Sequence, residues 1–131
     1  MDHDALIHDL GSFLHEDQLL TSPEDLSVYA FDGTAMLHQR PACVTLPESR
    51  EEVAQVLALC NEREVPVVAR GSGTGLAGGA VPSEGGVVLC LVRLNKILEL
   101  DAANLAMVTE PGVLTQKIAD EAQAAGLFYP P

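Results

Sequence analysis

The sequence VPVVARGSGTGLAGGAVP, residues 65–82, carries the strongest structural signal in the chain. Its first part, Val65 to Ala69, is short, apolar and rich in β-branched residues, which predicts a buried strand. This run leads directly into a loop with five glycines, at positions 71, 73, 75, 78 and 79. Because glycine has no Cβ and tolerates positive φ, such a loop can direct several backbone N–H groups at one anion. The sequence therefore predicts a strand followed by a loop that binds phosphate or pyrophosphate.

Two familiar phosphate-binding loops do not fit these residues. Residues 73–78 match the dinucleotide fingerprint GxGxxG, but that fingerprint opens a helix and needs an acidic residue after the next strand. Here more glycines and a proline follow the match, and the next apolar run, Val87 to Val92, ends in Arg93. A Walker A loop needs a Gly-Lys pair, and no lysine precedes Lys96. We therefore expect a strand, a glycine loop and a second strand, with backbone amides holding the anion.

The segments on either side of the loop predict a parallel sheet. Ala42 to Leu46 is a short apolar run bounded by prolines, and Val87 to Val92 is apolar at each position, as in strands covered on both faces. Ser49-Arg-Glu-Glu52 has the pattern of a capping box and precedes an apolar face, which predicts a helix from Arg50 to Arg63. Strand, helix and strand make a βαβ unit. We expect three parallel neighbouring strands, with the glycine loop beyond their carboxyl ends, where open α/β sheets bind ligands.

The first 38 residues predict a helical segment. Apolar residues recur there at helical spacing, at positions 6, 7, 10, 13 and 14, and Gly11 weakens this helix without ending it. Ser22-Pro-Glu-Asp25 predicts the cap and first turn of a short second helix that carries Leu26 to Tyr29, and Asp32-Gly33 breaks it. Three histidines lie in or beside the first helix, but only two share a face, so we predict no metal site.

Composition and charge limit the class of protein. The chain has 131 residues, 47% of them hydrophobic, which is enough for one domain with its own core. Nineteen acidic against seven basic residues give a formal net charge of −12, which argues against nucleic acid and anionic membranes as partners. No segment approaches the roughly 18 apolar residues of a membrane span. Isolated cysteines in apolar segments indicate a reducing compartment, so we expect a cytoplasmic protein; they are Cys43, Cys60 and Cys90.

Four motifs in a fixed order resemble the FAD-binding domain of the vanillyl alcohol oxidase and p-cresol methylhydroxylase type flavoproteins, in the branch of glycolate oxidase and D-lactate dehydrogenase. They are Pro66 to Ala80, Gly86-Val-Val-Leu89, Leu94 to Asp101 and Glu110-Pro-Gly-Val113. The resemblance implies an α+β fold whose α/β-like first half is a small parallel βαβ sheet. The glycine loop would lead into an incomplete second sheet, mixed or antiparallel, with helices. The implied division is an N-terminal helical segment, 1–38, and the first, truncated part of an FAD-binding domain, 39–131.

The resemblance also organises the second half of the chain. It implies a loop and short strand over Leu94 to Asp101 and another strand over Leu105 to Glu110. Thr115 is a candidate N-cap for a helix that runs to Ala125, with Gly126 as its C-terminal glycine. Leu127 to Tyr129 is expected to start a further strand. In the resembled family more strands and a substrate cap domain follow, so we expect exposed apolar surface near the last two strands and pairing with a second copy.

The candidate FAD contacts are the glycine loop and one later turn: Arg70, Gly71, Ser72, Gly73, Thr74, Gly75, Gly78, Gly79, Pro111 and Gly112. Residues 71–75 are expected to offer N–H groups to the pyrophosphate, with two hydroxyls as extra donors, and Gly78 and Gly79 let the returning chain pass close beneath. Arg70 either neutralises the phosphates or points to a surface carboxylate. Pro111-Gly112 either abuts the cofactor or forms a plain turn. Family members that tether the flavin from this loop use histidine where this chain has Thr74, which implies noncovalent FAD.

The resemblance implies an FAD-linked oxidoreductase that oxidises a small 2-hydroxy acid such as glycolate or D-lactate, with electron-transfer partner subunits. The catalytic side chains of that family belong largely to parts beyond these 131 residues. We therefore name no catalytic residue and expect the 131-residue piece alone to be inactive. The alternative is a noncatalytic nucleotide-binding or regulatory module of the same fold.

Overall fold

A computed structural model describes residues 2–34 and 36–130. The chain divides into two compact units, residues 1–91 and 92–131. In chain order, the α-helices and strands are α1 (His3–Leu10), β1 (Leu19–Leu20), α2 (Pro23–Val28), β2 (Cys43–Thr45), α3 (Arg50–Glu62), β3 (Val67–Arg70), β4 (Val87–Cys90), β5 (Ile97–Asp101), β6 (Ala106–Thr109) and α4 (Thr115–Ala124). The architecture thus combines helices with a mixed sheet in the first unit and an antiparallel sheet in the second, which confirms the α+β class.

The first unit contains a four-stranded sheet in the order β1-β2-β4-β3. Strands β2, β4 and β3 are parallel, with Val88 of β4 opposite Val44 on one side and Val68 on the other. The prediction of three parallel neighbouring strands is confirmed. The two-residue strand β1 adds an antiparallel edge, with Leu19 opposite Thr45, that we did not predict.

Helix α3 connects β2 to β3 and begins at the predicted cap. The Ser49 hydroxyl accepts a hydrogen bond from the Glu52 N–H at 3.2 Å. The reciprocal half of the predicted capping box is absent, because the Glu52 carboxylate instead accepts from the Glu48 N–H at 2.7 Å and from the Gln18 amide at 2.9 Å. The capping-box prediction was therefore wrong for Glu52, whose side chain ties the start of α3 to the segment before β1.

The N-terminal helix is shorter than predicted. Helix α1 ends at Leu10, and Gly11 caps it by donating its N–H to the Ile7 carbonyl at 2.9 Å. The expectation that the helix continues through Gly11 was wrong, although Leu14 still reaches the core from the turn that follows. Helix α2 begins as predicted, with the Ser22 hydroxyl accepting from the backbone of the first turn.

The core of the first unit lies between the sheet and helices α1 and α3. Its buried side chains come from all these elements: Leu6, Leu10, Leu14, Cys43, Val56, Cys60, Val65, Val87 and Leu89. Strand β4 is buried at each position, as its apolar run predicts. Burial raises the pKa of Cys43 to about 12 and also raises the pKa of Cys60. The buried thiols therefore stay protonated and act as small apolar side chains.

In the second unit, β5 and β6 form an antiparallel pair joined by a turn in which Asn104 donates to the Asp101 carboxylate. Helix α4 begins at Thr115, which is already helical, so Leu114 occupies the N-cap position and the prediction of Thr115 as the cap was wrong. Residues 127–129 form no strand, contrary to prediction, because the Leu127 N–H donates to the Ala122 carbonyl at 2.9 Å and closes the end of α4. None of the helices in the described residues has the length and apolar character needed to cross a membrane.

Candidate functional site

The glycine loop, residues 71–79, starts where β3 ends. The Leu91 N–H donates to the Arg70 carbonyl at 2.9 Å, so the last residue of β3 is still fixed to the chain that leaves β4. Strands β2, β3 and β4 run in the same direction. The loop therefore emerges at the carboxyl edge of the parallel strands, which is where sheets of this type bind ligands.

Two glycines of the loop are required by the folded backbone itself. Gly73 and Gly78 have φ of 73° and 74°, in the left-handed region that other residues rarely adopt. A Cβ at Gly73 would overlap the Arg70 guanidinium, and one at Gly78 would lie 2.6 Å from Cδ1 of Leu37. Conformation and packing together explain why both positions are glycine.

Three other glycines of the loop have no such explanation. Gly71, Gly75 and Gly79 lie outside the left-handed region, and a Cβ built on any of them has no described heavy atom within 4 Å. Their backbone is thus accessible to an approaching group. A loop of this kind can bind an anion at close range. The absence of Cβ atoms at these three glycines has no effect within the protein itself, but it lets a ligand reach the backbone.

Arg70 turns its side chain into the protein and is only 8% exposed. Its Nη1 donates to the Phe31 carbonyl at 2.5 Å, and its guanidinium carbon lies 5.3 Å from the centre of the Tyr29 ring. Among the described residues no carboxylate forms an ion pair with it. The surface carboxylate that we considered is therefore not its partner, and the guanidinium sits beneath the loop between Gly73 and the Phe31 carbonyl.

Segment 29–34 lies directly against the glycine loop, a contact that sequence reasoning missed. The Gly33 N–H donates to the Gly75 carbonyl at 2.8 Å, and a Cβ at Gly33 would lie 2.7 Å from that same oxygen. Asp32 is 6% exposed and accepts from the Thr34 N–H at 2.7 Å. The available signal was the glycine at position 33, which we had interpreted only as a helix breaker.

The environment of Asp32 connects this segment to the far end of the loop. The Thr34 N–H holds the pKa of Asp32 below its ordinary value, and the backbone amides of Ala80 and Gly78 contribute to the same lowering. A carboxylate that faces several backbone N–H groups stays ionised. The hydrogen bond between segment 29–34 and the loop backbone is the one from the Gly33 N–H to the Gly75 carbonyl.

The remaining candidate residues lie in two places. Ser72 and Thr74 are on the loop, which lies at the protein surface. Pro111 and Gly112 belong to the second unit, where the Gly112 N–H donates to the Leu94 carbonyl at 2.7 Å and ends the β5–β6 sheet. Within the described residues, no group of three or more His, Cys, Asp or Glu side chains is arranged to hold a metal ion.

The second unit contains a separate apolar cavity of about 590 Å³. It is lined by residues of β5, β6, α4 and the segment after α4: Leu100, Leu105, Ala106, Met107, Thr109, Ile118, Ala122, Gly126, Leu127, Phe128 and Tyr129. Leu105 and Phe128 are largely exposed, at 75% and 85%. Apolar surface is thus exposed near both segments where we predicted it, and pairing with a second copy stays a prediction.

Comparisons with known proteins place this chain in a family. Residues 41–131 match the model of an FAD-binding domain family. Glycolate oxidase subunit GlcD of Bacillus subtilis is 43% identical over 104 residues, which cover 79% of this chain and 22% of that protein. D-lactate dehydrogenase of Anaerostipes hadrus is 46% identical over 92 residues, covering 70% of this chain and 19% of that protein. The chain thus spans about a fifth of the length of these relatives.

Solved structures agree on the fold. Alkyldihydroxyacetonephosphate synthase matches 96% of this chain and 26% of its own with a TM-score of 0.84, at 20% identity. A p-cresol methylhydroxylase with substrate bound matches 95% of this chain and 25% of its own with a TM-score of 0.82, at 25% identity. The family predicted from the four sequence motifs is therefore confirmed. The chain belongs to the FAD-binding domain family of flavoproteins related to glycolate oxidase and D-lactate dehydrogenase, and its cofactor is FAD.

Proposed function

We propose that the glycine loop binds the pyrophosphate of noncovalent FAD in a protein that oxidises a small 2-hydroxy acid. The observation that carries the cofactor assignment is the group Gly71, Gly75 and Gly79. No contact or backbone conformation among the described residues requires glycine at these positions. A pyrophosphate that approaches the main chain does require it, because a side chain there would hold the phosphate oxygens away from the amides.

Backbone amides are suited to this role in a strongly acidic chain. The net charge of −12 repels a dinucleotide, and the chain has only seven lysine and arginine residues. The arginine that precedes the loop, Arg70, already donates to the Phe31 carbonyl. We therefore assign the pyrophosphate to the N–H groups of residues 71–75, with the Ser72 and Thr74 hydroxyls as further donors. Threonine cannot form the flavin linkage that histidine provides, so FAD is held without a covalent bond.

Pro111 and Gly112 are proposed as a second contact with the cofactor. They follow β6 in a turn anchored to Leu94. The supporting observation is that the loop of the first unit and this turn both lie within the matched range, residues 41–131. Domain limits of 1–38 and 39–131 are part of the same proposal.

The substrate class is proposed from the relatives. Their names include glycolate oxidase, D-lactate dehydrogenase and D-2-hydroxyglutarate dehydrogenase, and each of these substrates is a 2-hydroxy acid. When bound, FAD supplies the two-electron redox chemistry. The described residues bind and orient it, and we assign no catalytic residue among them. One relative is named as a subunit, which supports the proposal of partner subunits for electron transfer.

The test uses the complete protein that contains this chain. We expect it to purify with a flavin spectrum, to release the flavin on acid precipitation, and to reduce an artificial electron acceptor with glycolate or D-lactate. L-lactate and a hydroxy acid without a 2-hydroxyl serve as control substrates. A colourless protein without affinity for added FAD would contradict the cofactor assignment. Tight FAD binding without turnover of any 2-hydroxy acid would favour the noncatalytic module.

A further inference from the structure

We propose that Arg70 is a positioning residue, which locks the glycine loop onto segment 29–34 instead of binding the phosphates. The inference rests on the proposed function, since it concerns the same loop. Arg70 stands at the junction of rigid and irregular backbone, where β3 ends and the loop starts. Its side chain runs back under the loop, so its position determines how the loop leaves the sheet.

The guanidinium makes three contacts that only a planar group can make together. Nη1 donates to the Phe31 carbonyl at 2.5 Å, and the guanidinium carbon lies 5.3 Å from the centre of the Tyr29 ring. The group also packs on Gly73, where there is no room for a Cβ beside it. Arginine can stack on a ring and donate in its own plane at the same time, whereas lysine offers a compact point charge.

Segment 29–34 also holds the loop at Gly75, a point that does not involve Arg70. The Gly33 N–H donates to the Gly75 carbonyl, and the backbone amides of Gly78 and Ala80 help to lower the pKa of Asp32. The segment itself is anchored, because the Gln39 N–H donates to the carbonyl of the buried Ala30 at 2.9 Å. The loop is thus fixed at its start by Arg70 and at Gly75 by Gly33.

Such fixing preorganises the loop for its ligand. A loop that already has the bound conformation loses less conformational entropy on binding, so affinity rises without any added contact to the ligand. This arrangement also accounts for the position of a cation that is 8% exposed beneath an anion-binding loop. The Arg70 guanidinium donates to an acceptor within the protein, the Phe31 carbonyl, and the loop amides remain available for the pyrophosphate.

The experiment compares Arg70→Lys, Arg70→Met and Tyr29→Leu in the complete protein. The matched control is Arg63→Met, which removes a part-buried arginine of the same unit that pairs with Asp9. FAD affinity is measured by fluorescence titration, and amide hydrogen exchange of residues 71–79 is measured without FAD. We expect both Arg70 variants to lose at least about tenfold in affinity, because a loop released from the Phe31 carbonyl must lose more conformational entropy when FAD binds. Loop exchange should accelerate in these variants and in Tyr29→Leu, while β3 and β4 stay protected.

Two results would overturn the proposal. Wild-type affinity in Arg70→Lys, with unchanged loop exchange in Arg70→Met, would show that Arg70 acts as a charge on the phosphates. Loss of protection across β3 and β4 in Arg70→Lys and Tyr29→Leu would show a general role in folding. If the wild type fails to bind FAD, the proposed function is wrong, and the exchange data still decide whether Arg70 fixes the loop.

Discussion

Replacing an open loop glycine by alanine should separate ligand binding from folding. Gly71 and Gly75 have ordinary backbone conformations, and an added methyl group at either position would have no described atom within 4 Å. Gly71→Ala and Gly75→Ala therefore strain nothing in the free protein. Alanine also restricts the unfolded chain, which stabilises a protein by about 0.4–1 kcal/mol at a compatible site. We expect the free energy of unfolding to stay level or rise.

FAD affinity should change in the opposite direction. A methyl group in the approach path holds the phosphate oxygens beyond hydrogen-bonding distance of the loop amides. Each charge-assisted hydrogen bond lost in this way costs about 1.5–3 kcal/mol, and about 1.4 kcal/mol is a tenfold change in affinity. One or two lost bonds thus predict a fall of at least about tenfold per variant.

The assay measures both quantities on the same preparations, with FAD titration by fluorescence and urea unfolding of the FAD-free protein. Gly11→Ala is the control, because Gly11 has ordinary φ and only ordinary contacts, and lies outside the loop. Gly73→Ala is the contrasting variant and should lose stability as well as affinity, since it strains a left-handed backbone and displaces Arg70. Wild-type FAD affinity in both Gly71→Ala and Gly75→Ala would refute the backbone-amide account.

The buried thiols of Cys43 and Cys60 should resist alkylation until the chain unfolds. Because burial raises the pKa of Cys43 to about 12, only the unfolded state loses this proton above about pH 9, and the free energy of unfolding should then fall by about 1.4 kcal/mol per pH unit. Burial also raises the pKa of Cys60, which acts in the same direction. Urea unfolding at pH 8 and pH 10.5 checks this. Gln18→Met should cost about 1–3 kcal/mol in the same assay, because the buried amide makes three hydrogen bonds; equal midpoints would contradict it. Glu64→Asn should stabilise by about 1 kcal/mol without changing FAD affinity, since Glu64 has φ of 54° after α3. Finally, FAD affinity should hold steady or rise slightly with moderate salt, which screens charges beyond about 10 Å; a steep loss would mean that cations carry the binding.

Local patterns were sufficient for the elements that position the site. The β-branched runs at β2, β3 and β4 and the Ser49 cap of α3 depend on residues within one element, so the sequence alone predicts them. The place of the glycine loop then followed from the rule for parallel strands. The β5–β6 hairpin was instead predicted from the family resemblance, because its alternation of apolar and polar residues is weak.

Features that depend on distant partners could not be predicted in this way. The Glu52 carboxylate accepts a hydrogen bond from Gln18, which is 34 positions away, and does not complete the capping box. Arg70 finds its acceptor at Phe31, 39 positions away. Residues 127–129 have the composition of a strand but no neighbour to pair with among the described residues, so the Leu127 N–H closes α4 instead. In each case the local sequence pattern is consistent with the residue type but contains no information about the distant partner.

The roles that we propose for Arg70 and the open glycines explain how an acidic chain can hold an anionic cofactor. A net charge of −12 leaves few cations for contacts with phosphates, and cations on flexible side chains would need ordering at each binding event. Backbone N–H groups add donors without adding charge or side-chain entropy. Their weakness is that an irregular loop must be held in one conformation, and we propose that Arg70 and segment 29–34 hold it through the hydrogen bonds to the Phe31 and Gly75 carbonyls. On this proposal the cation strengthens binding through the shape of the loop, and the amides of that loop make the contact with FAD.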